Sequence, residues 1–231
     1  MRRLLLYIIG TVVLLSACMR SSDISKGEPF STMCSFDEAA GPAPTIVTVK
    51  QDAAGAVFFQ LDDSTRVSPV NYTLPYKGLQ RIICRLSLNK EQSQCYIHWM
   101  DGIERGDVTT QNATSSPMPD SQSAGLDVID DWMTGVEDGF LTVHYSAWWG
   151  EGKVSHTLCL YQSPGEENTF EFTLLHNANG DKALKLGDAL VYFDIDPLLP
   201  PTQGAYKTLT LKWTTLEGKT AAKEFKYRSR Q

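Results

Sequence analysis

The sequence predicts an all-β protein: a small N-terminal OB-like barrel followed by a C-terminal β-sandwich, both behind a polar tether. Three observations predict it. Short runs of β-branched and aromatic residues alternate with polar ones at a period of two. Gly, Asn, Asp and Pro divide those runs at short intervals. Helical periodicity is scarce, and "LDVIDDWMTGVEDG" offers at most one turn before Gly135 and Gly139.

The first block holds "TIVTVKQ", "AVFFQLDD", "LQRIICRLSL" and "QCYIHWMDGI". Roughly five strands fit here, which suits an OB-type barrel, assigned to residues 43–108. "GDVTTQNATSSPMPDSQSAG", Gly106 to Gly125, is rich in Ser, Thr and Pro and has no sustained apolar period. Residues 109–124 are therefore read as a linker. The second block, residues 125–231, holds "GFLTVHYSA", "KVSHTLCLYQ", "TFEFTLLH", "DALVYFDI", "YKTLTLKWTT" and "AAKEFKYRS". Leu209, Leu211 and Trp213 share one face of their run, as do Phe170, Phe172 and Leu174. A sheet with one buried face has that period, and this number of strands suits a β-sandwich. The basic tail from Lys219 to Arg230 alternates with Phe225 and Tyr227, the pattern of a last strand with a polar outer face.

The N-terminus carries an address. Arg2 and Arg3 precede the apolar run "LLLYIIGTVVLL", which ends in "LSAC" at Cys18. The run is shorter than the ~20 residues of a membrane span and has the layout of a secretory signal over residues 1–17. "LSAC" resembles the lipobox of bacterial lipoproteins, which implies cleavage before Cys18 and a lipid on its thiol. Two or three acyl chains make a durable anchor, where one alone binds reversibly. Residues 18–42 then read as a tether, polar and without periodicity. The expected location is extracytoplasmic, lipid-anchored at the outer membrane. Only Asp23 follows the anchor closely, so the periplasmic and surface sides both stay open.

The chain has 21 Lys and Arg against 27 Asp and Glu, and losing Arg2 and Arg3 with the signal takes the net charge from −6 to −8. Such a protein has no electrostatic footprint for nucleic acid. Four cysteines remain beside Cys18: Cys34, Cys84, Cys95 and Cys159. Cys84 and Cys95 sit on two runs joined around "NKEQ", so a cross-strand disulfide is one pairing that an oxidising envelope allows. The spacings match no zinc framework.

The order of several pieces resembles the NigD-like lipoproteins. "LDDSTRVSPVNY" (Leu61 to Tyr72), "GLQRIICRLSL" (Gly78 to Leu88) and "YIHWMDGI" (Tyr96 to Ile103) look like their first domain. "VSHTLCLY" (Val154 to Tyr161), "LLHNANGD" (Leu174 to Asp181) and "LVYFDID" (Leu190 to Asp196) look like their second. Ser64 stands where the family favours Gly, Leu79 is an extra residue, and Leu175 sits where Arg often precedes the His. The resemblance implies the same OB-like barrel and sandwich. It supplies no catalytic residues, and through the family's name it associates the chain with bacteriocins and immunity.

Catalytic signatures are absent from the sequence: no Gly-x-Ser-x-Gly elbow, no His-Glu-x-x-His, no phosphate loop, no dinucleotide fingerprint. His98, His144, His156 and His176 lie in or at the end of alternating runs and read as structural. Asp127, Asp130, Asp131, Glu137 and Asp138 read as a solvated entry to the sandwich ahead of a calcium or glycosidase site. "HNANGD" reads as a tight turn, since Asn, Gly and Asp tolerate positive φ. "SAWWGEGK", residues 146–153, is read as a loop between strands. Neighbours in an extended chain point opposite ways, so one of Trp148 and Trp149 is expected in the core and the other exposed. The exposed indole is the candidate platform for a glycan; the alternative is that it caps the sandwich or covers the domain junction. The expectation is a binding protein rather than an enzyme, with no cofactor or metal, whose partner is an envelope protein or a glycan.

Overall fold

The computed structural model describes residues 43–110, 124–151, 154–162 and 170–230. The signal, Cys18, Cys34, the tether over 18–42 and most of the 109–124 stretch lie outside the described residues. No helix among the described residues is long and apolar enough to cross a membrane.

Strands β1 (Pro44–Gln51), β2 (Val57–Gln60), β3 (Arg66–Pro69), β4 (Gln80–Leu88) and β5 (Gln94–Gly102) close into a barrel in the order β1-β2-β3-β5-β4. Closure leaves no exposed edge to template pairing with another chain. Val47, Val49, Phe59 and Ile82 fill the interior together with Cys84 and Cys95. The two thiols are free, and burial pushes each up to about 12. The expected Cys84–Cys95 disulfide is corrected by the register. Cys84 stands opposite Met100 and Cys95 opposite Leu88. Cys84 and Leu88 are separated by roughly 13 Å along their strand at ~3.3 Å per residue, and a disulfide spans Cα atoms under ~7 Å apart.

The sandwich is built from β6 (Glu104–Arg105), β7 (Asp107–Thr110), β8 (Asp127–Val128), β9 (Gly135–Glu137), β10 (Phe140–Trp149), β11 (Thr157–Gln162), β12 (Glu171–Asn177), β13 (Lys185–Asp194), β14 (Lys207–Thr214) and β15 (Thr220–Tyr227). One sheet runs β6-β13-β10-β8, with β9 also on β10, and the other runs β15-β14-β12-β11-β7. Their facing sides bury Leu141, Val143 and Tyr145 against Leu160, Phe172, Leu174, Leu209, Leu211 and Trp213. Phe170 packs at the edge of this core and Tyr227 is fully inside it.

Strand pairing enters the sandwich earlier than the sequence pattern suggests. β6 pairs with β13 in one sheet and β7 with β11 in the other, so the chain crosses between sheets at Gly106. Residues 104–108, read above as barrel, thus hydrogen-bond into the sandwich. Two- and four-residue strands are too short to show an alternation.

The barrel sits on the outer face of the first sheet. Ile46 and Ile103 bury Phe140 and Tyr192, and charged groups ring that contact. Lys50 Nζ meets Asp138 at 2.6 Å and Arg81 Nη2 meets Glu137 at 3.2 Å. Asp63 Oδ1 accepts the Asp138 N–H at 2.8 Å, while its Oδ2 faces Arg228 at 3.4 Å. Asp62 builds the turn that presents Asp63, its Oδ1 accepting from the N–H groups of Ser64 and Thr65. Those backbone donors, working against partial burial, hold the Asp62 carboxyl below its usual range.

Candidate functional site on the outer face of the first sheet

Alternation along β10 divides its side chains between two environments. Leu141, Val143, Tyr145, Ala147 and Trp149 turn into the sandwich core, so their even-numbered neighbours stand on the outer face. Along that face Phe140 lies under the barrel and Thr142 is buried. His144 follows, with Nδ1 2.8 Å from Asp131 Oδ2 and Nε2 3.1 Å from Asp188 Oδ2. Trp148 ends the row, 46% exposed. It pairs across strands with Leu186, 53% exposed, and Leu184 lies two residues earlier at 59%. The result is a small apolar patch at the open end of a face whose other end is covered.

Both tryptophans are the last two residues of strand β10, where the sequence pattern suggests a loop over 146–153. Trp149 is the inward of the two, half-buried and with one face used internally. Its ring stacks on His156 with centroids 4.1 Å apart and planes 11° from parallel. Its indole N–H donates to the Gly187 carbonyl at 3.1 Å. Beneath it runs a polar chain. His156 Nε2 lies 3.2 Å from Asp181 Oδ2, His156 Nδ1 lies 2.9 Å from His176 Nε2, and His176 Nδ1 lies 3.3 Å from the Gly125 carbonyl. A carbonyl can only accept, which assigns a proton to His176 Nδ1 and makes Nε2 the acceptor from His156. Burial, together with the neighbouring His156, lowers the His176 pKa.

"HNANGD" supplies two members of that chain. Asn179 and Gly180 take φ of +51° and +78°, and Asn177 Oδ1 accepts the Asn179 N–H at 2.8 Å. That is turn chemistry, as the residue types imply. Asp181 goes further: its carboxylate accepts from the Gly150 N–H at 2.7 Å, which ties the turn to the strand end carrying both tryptophans. The Gly150 hydrogen bond is the chief cause of a lowered Asp181 pKa. The crowding of polar residues in the sequence was the signal for this pin, but its partners lie 25 and 31 residues away.

The acidic cluster at the start of the sandwich disperses in space. Asp127 accepts from the Leu216 N–H, Asp130 pairs with Lys223, Asp131 with His144, Glu137 with Arg81 and Asp138 with Lys50. His98 is hydrogen-bonded to Ser87 at 2.8 Å on the barrel.

Residues 111–227 match the family model described as the NigD-like C-terminal beta sandwich domain. Solved structures with the same fold include a protein described as toxin-related from Parabacteroides distasonis, at 22% identity and a TM-score of 0.68 over 81% of this chain and 93% of that one. A NigD-like immunity protein from Bacteroides caccae aligns at 16% identity and a TM-score of 0.56, over 80% of this chain and 96% of that one. A candidate lipoprotein from Bacteroides fragilis aligns at 12% identity and a TM-score of 0.53, over 82% and 99%. No curated protein matches the chain. At these identities the likeness to the solved structures is one of fold.

Proposed function

The chain belongs to the NigD-like family, and from that premise we propose that it is a lipid-anchored protein of the cell envelope that acts by binding a protein partner and catalyses no reaction. The observation that supports this reading is the outer face of the first sheet. One end of it is covered by the chain's own barrel, through Phe140 and Tyr192, and the other presents Trp148 with Leu184 and Leu186 to solvent. Trp is enriched at protein-binding hot spots, and an exposed apolar patch marks an interaction surface. The Bacteroides caccae protein is described as an immunity protein, which supports a partner of the toxin or bacteriocin kind. Affinity capture from envelope extracts is expected to recover a defined protein with the native chain and to lose it with Trp148→Asp. Recovery of nothing above background, or of the same protein by both forms, overturns the reading.

The anchor is tested separately. Cys18→Ser is expected to leave the protein unprocessed or in the soluble fraction, and a mature, membrane-bound variant contradicts lipidation at Cys18. A glycan ligand at the same patch is the second reading, favoured by the open face of Trp148. It predicts that oligosaccharides change tryptophan fluorescence and that Trp148→Ala abolishes the change.

A further inference from the structure

The apolar patch at Trp148 has an acidic border, and that border selects the partner. In the register of the first sheet Ser146 stands opposite Asp188 on β13 and opposite Asp127 on β8. Cross-strand partners share a face, so this row lies on the outer face, about 7 Å along the strands from the row of Trp148 and Leu186. The Asp188 side chain is 69% exposed. Asp127 is half-buried, and its Oδ1 accepts the Leu216 N–H at 3.2 Å. Lys185 stands opposite Trp149, whose side chain turns inward, and so belongs to the other face of β13.

His144 does not cancel these charges. It is 8% exposed and lies between two carboxylates, 2.8 Å from Asp131 and 3.1 Å from Asp188. A neutral imidazole has one N–H and serves one carboxylate, whereas an imidazolium serves both. Asp127, Asp131 and Asp188 bring three negative charges, so even an imidazolium leaves two of them uncompensated. Asp130 stands outside this count because Lys223 pairs with it. Lys182 and Glu151, in the segments that flank the patch, bring one charge of each sign. Of the two acids on His144, Asp188 has the longer contact and the more exposed side chain.

An anionic lipid surface is repelled by this border. A second copy in a two-fold pair would bring two acidic borders together, because such a contact is self-complementary. A segment with an apolar stripe beside Lys or Arg meets both features: its stripe covers the patch and its cations approach the carboxylates.

We propose that the partner docks on Trp148, Leu184 and Leu186 through a cationic amphipathic segment whose Lys or Arg residues lie along Asp188, Asp131 and Asp127. This rests on the reading of the patch as a protein-binding surface and names the chemistry of what binds there. Calorimetric titration of the full chain uses two synthetic helical peptides that share a Leu face and carry Lys or Glu on the other. The Lys peptide is expected to bind saturably, and the Glu peptide at least about tenfold more weakly. Raising salt well above ~0.15 M, where the screening length is already about 8 Å, is expected to weaken the Lys peptide. Trp148→Ala is expected to weaken it at least about tenfold, and Asp188→Asn several-fold with a shallower salt dependence. Both positions are exposed, so neither change touches the core. The proposal is overturned if the Lys peptide does not bind, if the Glu peptide binds as tightly, if binding survives Trp148→Ala, or if Asp188→Asn leaves affinity and salt dependence unchanged. Self-association that Trp148→Ala removes, or protection of Trp148 by anionic vesicles and not by the peptide, identifies another occupant and also overturns it. Trp148-dependent capture of an envelope protein alongside no binding of the Lys peptide overturns this partner class and leaves the surface standing. Capture indifferent to Trp148→Asp removes the surface itself.

Discussion

At Gly150 a Cβ would lie 2.0 Å from Asp181 Oδ1, and the same residue's N–H donates to Asp181 Oδ2 at 2.7 Å. Both facts come from one carboxylate pressed against the backbone, so Gly150→Ala is expected to destabilise the fold by ~1–3 kcal/mol, the usual cost of forced overpacking. Thermal melts of Gly150→Ala, Asp181→Ala and the double variant check it. The double variant is expected to lose less than the sum, because the second change removes the clash created by the first; strict additivity contradicts the contact. His176 adds a pH dependence. Its pKa is lowered in the fold, from an ordinary value of 6.5, so the unfolded chain binds the extra proton first. Its contribution is therefore complete above about pH 6.5 and is lost as pH falls from there toward the folded value. The Asp181 contribution, with a carboxyl lowered from 3.8, is lost only as pH falls from about that value toward the folded one. Melting temperature against pH is expected to fall in the first window for the native chain, and His176→Gln is expected to flatten that part of the curve.

Gly106 shows what a single element contributes. It lies between β6 and β7, at the crossing from one sheet to the other, and a Cβ there would lie 2.2 Å from the Phe193 ring. Gly106→Ala is expected to push on that fully buried ring and destabilise the sandwich by ~1–3 kcal/mol. Hydrogen exchange is expected to quicken in both sheets, and quickening confined to one sheet argues against the crossing as a shared seam. The same element marks the limit of what the sequence reveals. β10, β12 and β14 each alternate for seven residues or more, and their inward sets, such as Leu209, Leu211 and Trp213, were legible from period alone. "ERGDVTT" has too few apolar positions to alternate, and its parallel partners lie over 50 residues on. The candidate sites divide in the same way. One exposed and one inward Trp follows from neighbours pointing opposite ways, whereas the domain junction joins Arg81 to Glu137, 56 positions apart on different domains, and no local pattern encodes that meeting.

The two domains are held together by groups whose charges are costly to leave unpaired. Lys50 is the barrel's reach into the sandwich: its side chain is 12% exposed, that of Asp138 is 6% exposed, and they meet at 2.6 Å. Asp138 Oδ2 has no partner among the described residues, and Arg230 Nε stands 4.0 Å from Oδ1. Lys50→Met therefore leaves a buried carboxylate without its close cation, and losing one member of such a pair costs about 3 kcal/mol or more. The loss falls on the junction, so calorimetry is expected to show one transition for the native protein and two for the variant, with barrel and sandwich melting separately. Adding Asp138→Asn removes the stranded charge. Asp138 sits at φ +51°, a conformation that Asn adopts readily, so the second change adds no backbone strain. The double variant is expected to recover most of the lost stability and return toward one transition. If Lys50→Met alone melts like the native chain, the apolar contact of Ile46 and Ile103 with Phe140 and Tyr192 is sufficient to couple the domains, and the charged ring only sets their orientation.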